Sequence, residues 1–332
     1  MAIRTKWFMV AMLLVAAIPV VADTPVAPGT VLATFTAKTP FNDVQVFRHG
    51  EVVAVGNLQV LHVDRLGVSW ISTPRGERGK RWIGFLQGVW GAAPDDVWAV
   101  TSRGDVLHWN GTKWSIVDEG ARVLLDVWGS SPTDIFAVGK AGLVLHFNGE
   151  RWAAMKSGSD EILTRIWGSS GKNVYAVGEH GTVLHYDGSA WRRVSVPSSD
   201  SFDMVSGSGP SDIFVAGWGG ACLHFDGATW KEVDLWARGI EDLVVASEAG
   251  QAWAVTLDQG VLHFDGRAWS RSFPLPEAFY ARHLATAPNG ALVIAGYHGE
   301  RSKNEEGGPS VVSRDGALFV MTTKPTRDGD HK

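Results

Sequence analysis

The 332-residue chain is 45% hydrophobic and 20% charged, which supplies a buried core and excludes a disordered chain. Its formal net charge of −5 argues against nucleic acid or an anionic membrane surface as the main partner, since both require a basic footprint. Cys222 is the only cysteine, so no internal disulfide framework exists.

In chain order the first feature is a targeting signal. Arg4 and Lys6 form a positive n-region, Trp7 to Val21 an apolar stretch, and Val20-Val21-Ala22 a small-residue cleavage site. About 15 apolar residues fall short of the roughly 20 that a spanning helix needs. Cleavage after Ala22 is expected, taking the charge from −5 to −7. No later segment is apolar enough to span a bilayer, so a periplasmic or secreted chain without membrane insertion is expected. Residues 23–40 form a leader, in which TVLATFTAK (30–38) is expected to pair with the last structural unit. Residues 41–323 form the folded body and 324–332 a disordered polar tail.

The body is repetitive. Ala54-Val55-Gly56 recurs as Ala99-Val100-Thr101, Ala137-Val138-Gly139, Ala176-Val177-Gly178, Val215-Ala216-Gly217, Ala254-Val255-Thr256 and Ile294-Ala295-Gly296. Each triplet but the last precedes a Leu-His pair; from the second to the sixth the pair opens a Leu-His-aromatic-Asp/Asn-Gly-x-x-Trp string. Residues 123–158 show one unit: strand VLLDVWGS, turn SPTD, strand IFAVG, turn KAG, strand LVLHF, hairpin NGE and strand RWAAMK. Asn-Gly and Asp-Gly favour tight hairpins because their positions tolerate positive φ. Four strands per unit of about 39 residues mark a propeller blade. The expected fold is all-β, a seven-bladed β-propeller of four-stranded antiparallel blades.

Trp128-Gly129-Ser130 and Trp167-Gly168-Ser169 extend the pattern, while Ser206-Gly207-Ser208 lacks the Trp. The whole resembles secreted bacterial propellers built from WGS…D-[VI]-[WF]-A-V-G…[VI]-L-H-[FY]-[DN]-G-x-x-W repeats. It is distantly similar to the Asp-box, sialidase-like propellers, whose box Ser/Thr-x-Asp-x-Gly-x-x-Trp is one residue longer. That resemblance implies a fold and an address outside the cytoplasm, and no single reaction.

His62, His108, His146, His185, His224 and His263 take equivalent places on the third strands. Strands about 4.8 Å apart put those places about 15 Å from the axis and about 13 Å from one another. Zinc requires imidazole nitrogens about 2.1 Å from one ion, so no metal site and no cofactor is expected there. Each His is expected to bond its own hairpin, and the repeated Trp to pack between blades. Arg103-Gly104-Asp105 and the sequon Asn110-Gly111-Thr112 fall inside turns of the repeat and read as coincidences of it.

Function is sought where the pattern breaks. The link 71–86 carries Arg75, Arg78, Lys80, Arg81 and Trp82; the turn 297–310 carries Tyr297, His298 and Glu300. Both are expected on one face, in blades that ring closure makes neighbours. That face also receives Lys140, Glu179, His180, Trp218 and Asp258, plus Tyr280 and Arg282. The candidate ligand-binding set is Arg81, Trp82, Trp218, Tyr280, Arg282, Tyr297, His298 and Glu300, with aromatic stacking and oriented hydrogen bonds suited to a protein or glycan. No catalytic residue is assigned. The alternative is an extracellular carbohydrate-active hydrolase or lyase at the channel entrance; a sialidase is disfavoured because its Arg-Ile-Pro motif is absent.

Overall fold

The computed structural model describes residues 31–37, 40–57, 59–64, 67–72, 84–120, 122–237, 239–246, 250–287, 290–299, 301–303, 309–311 and 315–321. Seven four-stranded antiparallel sheets form the blades of a closed propeller. In blades one to six the strands follow chain order outward from the channel. Blade three is typical, with Leu124–Ser131, Asp134–Gly139, Val144–Phe147 and Trp152–Met155. Blade seven is composite: Phe279–Thr286 lies innermost, then Leu292–His298 and Asp315–Met321, and Val31–Ala37 from the other end of the chain is outermost. The innermost strand of blade one, Phe41–Val46, packs on both Leu86–Ala93 of blade two and Phe279–Thr286 of blade seven, which closes the ring. A two-stranded ribbon, Arg301–Lys303 with Pro309–Val311, extends the second-to-third-strand turn of blade seven.

The Ala-Val-Gly triplets lie in the second strands. In blade three all of Ile135–Gly139 is buried, because adjoining blades cover a second strand on both faces. Such a strand loses polar alternation and reads as a continuous apolar run. One apolar cluster fills each of the seven seams. The closing seam sets Phe41, Val52 and Leu61 of blade one against Val293, Ala295 and Leu318 of blade seven.

The Trp-Gly pairs interlock across seams. A Cβ on Gly129 would sit 2.7 Å from the Trp90 ring of the preceding blade, and Gly168 and Gly207 stand in the same relation to Trp128 and Trp167. Blade five has Ser206 instead of Trp, and blade six has Val245 instead of Gly. With no indole to admit, the Val245 N–H donates to Ser206 Oγ at 3.0 Å. The loss of the motif in blade five is therefore matched by its neighbour.

The hairpins differ from the two-residue turn that Asn-Gly suggests. Trp109 pairs with Trp114, leaving a four-residue connection. Asn110 Oδ1 accepts the N–H groups of Thr112 and Lys113, each at 3.1 Å, while Gly111 holds φ 86°. The side chain supplies the acceptor that closes the wider loop. In the Arg103-Gly104-Asp105 turn, Asp105 is fully buried, which is incompatible with a displayed adhesion tripeptide.

Candidate functional site

Four of the repeated histidines are bonded within their blades, though not to the hairpin as the sequence suggested. His108, His146 and His224 Nε2 lie 2.7, 2.7 and 2.8 Å from Asp96, Asp134 and Asp212 Oδ1, and His185 lies 2.7 Å from Asn173 Oδ1. His146 pairs across strands with Phe136 and stacks on it at 4.3 Å. Asp134, two residues earlier on the same strand, shares that face, and so captures the imidazole before the hairpin can. Ser130 and Ser208 donate to the other carboxylate oxygen of Asp134 and Asp212. The letters of a Ser-His-Asp triad occur, but each hydroxyl bonds the carboxylate and not the imidazole, so no base activates it. A hollow of about 660 Å³ surrounds Asp96 and His108 at this end of blades two and three; of its polar groups, Asp96 and His108 bond each other and Asn110 closes its own turn.

The opposite face opens on the channel. Six innermost strands carry a bulge near their start: Phe41/Asp43, Leu86/Gly88, Leu124/Asp126, Leu163/Arg165, Ile240/Asp242 and Ala281/His283. A bulge re-aims one side chain. The bulged residues Asn42, Gln87, Leu125, Thr164, Glu241 and Arg282, with Asp203 of blade five, line a mouth of about 430 Å³ together with Trp218 and His283.

One step further in, the next residue of each strand forms a ring: Asp43, Gly88, Asp126, Arg165, Met204, Asp242 and His283. Each aspartate clips its blade to the next one. Asp43 accepts the N–H groups of Val44 and Val89, Asp126 those of Val127 and Ile166, and Asp242 those of Leu243 and Leu284, all at 2.8–2.9 Å. Arg165, which can only donate, gives an Nη2–H to His283 Nδ1 at 2.8 Å and lies 4.0 Å from Asp126. His283 Nδ1 is 3.6 Å from Asp242 and 3.9 Å from Asp43.

Three carboxylates thus share one guanidinium and one imidazole. Burial pushes the Asp43 carboxyl up to about 6, offset only in part by His283 and Arg165. Burial also raises Asp126 against the pull of Arg165. A raised carboxyl pKa favours the protonated folded state, so its contribution is full below the unfolded value near 4 and is lost as pH rises through about 6. The unfolding free energy of the wild type, from urea titrations, is expected to fall between pH 4 and pH 7 by about 2–3 kcal/mol more than that of Asp43→Asn. Parallel profiles would show that Asp43 titrates normally.

Of the candidate residues, Trp218 and Arg282 meet at the channel mouth. Tyr280 and Tyr297 pair across adjacent strands and stack at 5.3 Å with planes 17° apart. His298 pairs by backbone with Phe279 and Asp315, and its side chain lies outside the described residues, as do Arg81, Trp82 and Glu300. Whether the 71–86 link meets the 297–310 turn therefore also lies outside them. The sequence reading missed the inner ring entirely. Its signal was a titratable residue at the equivalent place in five of the seven innermost strands, Asp43, Asp126, Arg165, Asp242 and His283.

The fold and this site define a seven-bladed β-propeller with a charged channel open at one face. No protein-family model matches the chain, and no curated protein matches it in sequence. Solved structures share its fold. The RRP9 WD40 repeats superpose with a TM-score of 0.70 at 10% identity, covering 90% of this chain and 99% of that one. YCF48 bound to D1 peptide gives 0.65 at 14% identity over 88% and 97%, and YCF48 from Cyanidioschyzon merolae gives 0.63 at 15% over 87% and 98%.

Proposed function

We propose that this chain is an extracytoplasmic, non-catalytic propeller that holds a protein partner at its channel-mouth face. One observation carries the reading. The mouth gathers pattern-breaking side chains, Trp218, Glu241 and Arg282, around an open hollow, while the repeated polar groups of the other face bond one another. YCF48, similar in fold, has been solved with a D1 peptide bound, which supports a peptide-binding use of this architecture. The address rests on the Arg4/Lys6 n-region, the apolar stretch and Ala22. No helix among the described residues is long and apolar enough to cross a membrane. The Asp/Asn-Gly-x-x-Trp hairpins, closed by their side chains, support a distant kinship with Asp-box propellers.

A retaining or inverting glycosidase at the mouth would need a pair of available carboxylates. Asp43, Asp126 and Asp242 each already accept two backbone N–H groups, and Glu241 Oε2 is held by Arg282 at 2.8 Å. Binding is the better use of this chemistry.

The test places a photo-crosslinking amino acid at Trp218 and, separately, at Asn110 on the other face, in the producing cells. Discrete protein adducts are expected from position 218 alone, and Trp218→Ala should weaken capture of that partner at least tenfold, as loss of an interface anchor does. Equal labelling from both faces, or turnover of chromogenic glycosides by the purified chain, would overturn the reading.

A further inference from the structure

The mouth continues sideways into a second hollow. About 570 Å³ in volume, it lies at the seam of blades six and seven and is lined by Glu241, Leu257, Leu275, Glu277 and Tyr280. Glu241 borders both hollows, so the second adjoins the mouth on its outer side, and the two together are termed the groove.

Large apolar side chains stand open here: Trp218 lines the mouth, Leu257 lines the second hollow, and Trp236 precedes Gly239 by three residues. Trp218 is 57% exposed, Trp236 48% and Leu257 50%. Their backbones are joined: the Gly239 N–H donates to Trp218 O, and the Leu257 N–H donates to Gly239 O, each at 3.0 Å. The Leu257 side chain lies over Gly239, where a Cβ would meet its Cδ1 at 2.8 Å. Trp236 is held at φ 39° by Asp234, which accepts its N–H at 2.8 Å. A bulky residue in that region is strained, and strain of this kind is retained at exposed positions that bind.

The second hollow is lined by Glu241 and Glu277 and by no basic residue, whereas the mouth sets Asp203 and Glu241 beside Arg165, Arg282 and His283. Asp258 follows Leu257 in the chain, and Asp234 sits in the turn of Trp236. Arg282 neutralises Glu241, and Asp234, Asp258 and Glu277 have no cationic partner among the described residues. Arg238 lies outside those residues and is not counted. Further in, Asp43, Asp126 and Asp242 outnumber Arg165 and His283. An occupant must bring apolar surface for the Trp and Leu side chains and positive charge for the carboxylates.

We propose that this groove receives an extended protein segment in which a lysine or arginine stands beside an aromatic or branched apolar residue. The proposal rests on the binding reading above and adds the chemistry of the partner. The cation lies toward Glu277 and Asp258 or dips into the mouth, while the apolar neighbour covers Trp218 and Leu257. Long cationic side chains suit this division, with an apolar stem on the aromatic surface and a charged head at the carboxylates.

The test is selection of a displayed random dodecapeptide library on the whole mature chain, with Trp218→Ala, Leu257→Ala and the pair Asp258→Lys/Glu277→Lys as comparison proteins. All four positions are exposed, and far-ultraviolet circular dichroism verifies that each variant keeps its β fold. Enrichment of Lys or Arg next to an apolar residue is expected. Affinity should fall at least tenfold on charge reversal and on each apolar truncation, and wild-type affinity should fall in 0.5 M salt and recover when the salt is removed. Enriched peptides that are neutral or acidic, or that bind the charge-reversed protein equally well, would overturn this inference and leave the broader reading standing. Peptides indifferent to Trp218→Ala, or a glycan array hit that depends on Trp218 with no peptide selected, would overturn both.

Discussion

Trp191→Ala is expected to destabilise the propeller by about 3–5 kcal/mol in urea unfolding, the range for large-to-small changes in a packed core. Trp191 is 6% exposed in the seam between blades three and four. It meets Phe136 of the preceding blade edge-on, at 6.3 Å and 82°, and leans on Tyr186 at 5.4 Å. Its Nε1–H has no hydrogen-bond acceptor among the described residues, so the loss is one of packing and not of a conventional hydrogen bond. Trp191→Phe should therefore retain most of the stability. His185→Ala should cost less, about 1–2 kcal/mol, because it gives up one bond to Asn173 and a stack on Tyr175. A stoichiometric metal lost on mutating His185 would contradict its role as scaffold.

Arg165→Met is expected to cost a further-reaching 3–5 kcal/mol or so near pH 7.5, as does breaking a buried ion pair from one side. Arg165 retains 19% of its side-chain surface and Asp126 9%, so the pair faces a narrow channel with little screening. Burial alone would lower the guanidinium, but Asp126, Asp43 and Asp242 outweigh it and hold the charge. Without it, Asp43, Asp126 and Asp242 face one another with His283 as their nearest basic group. Protonation relieves that repulsion, so the variant should recover much of the lost stability near pH 5. A deficit that does not change with pH would mean that Arg165 acts only by filling space.

The blade pattern was legible because each of its elements is decided locally. Ala137-Val138-Gly139 needs only a both-faces-covered strand, and Asn148-Gly149 only its own side-chain acceptor. The channel was not legible in that way. Asp43, Asp126, Arg165, Asp242 and His283 come from five blades, and what each one touches depends on closing the ring. Charge at such positions follows no repeat, because the channel wall is where identical blades must meet one another differently. The expected bond of His146 to its hairpin gave way to Asp134 for a related reason: the nearer residue in sequence, Asn148, is taken by its own turn. Trp218 and Arg282 were found by looking for broken pattern, and they meet because both stand where a blade turns toward the mouth.

The composite seventh blade has a consequence for how the chain folds. Val31 pairs with Met321, so the first strand to be made is the last to be placed. Until the final strand arrives, Val31–Ala37 has no partner and Asp315–Met321 has an open edge, a state that invites pairing with another chain. Contacts so distant in sequence slow the search for the native state. Joining the two ends by circular permutation, with new termini in an exposed hairpin such as 226–229, would make that pairing local. The permuted chain should refold faster and aggregate less than the natural one while reaching the same seven blades.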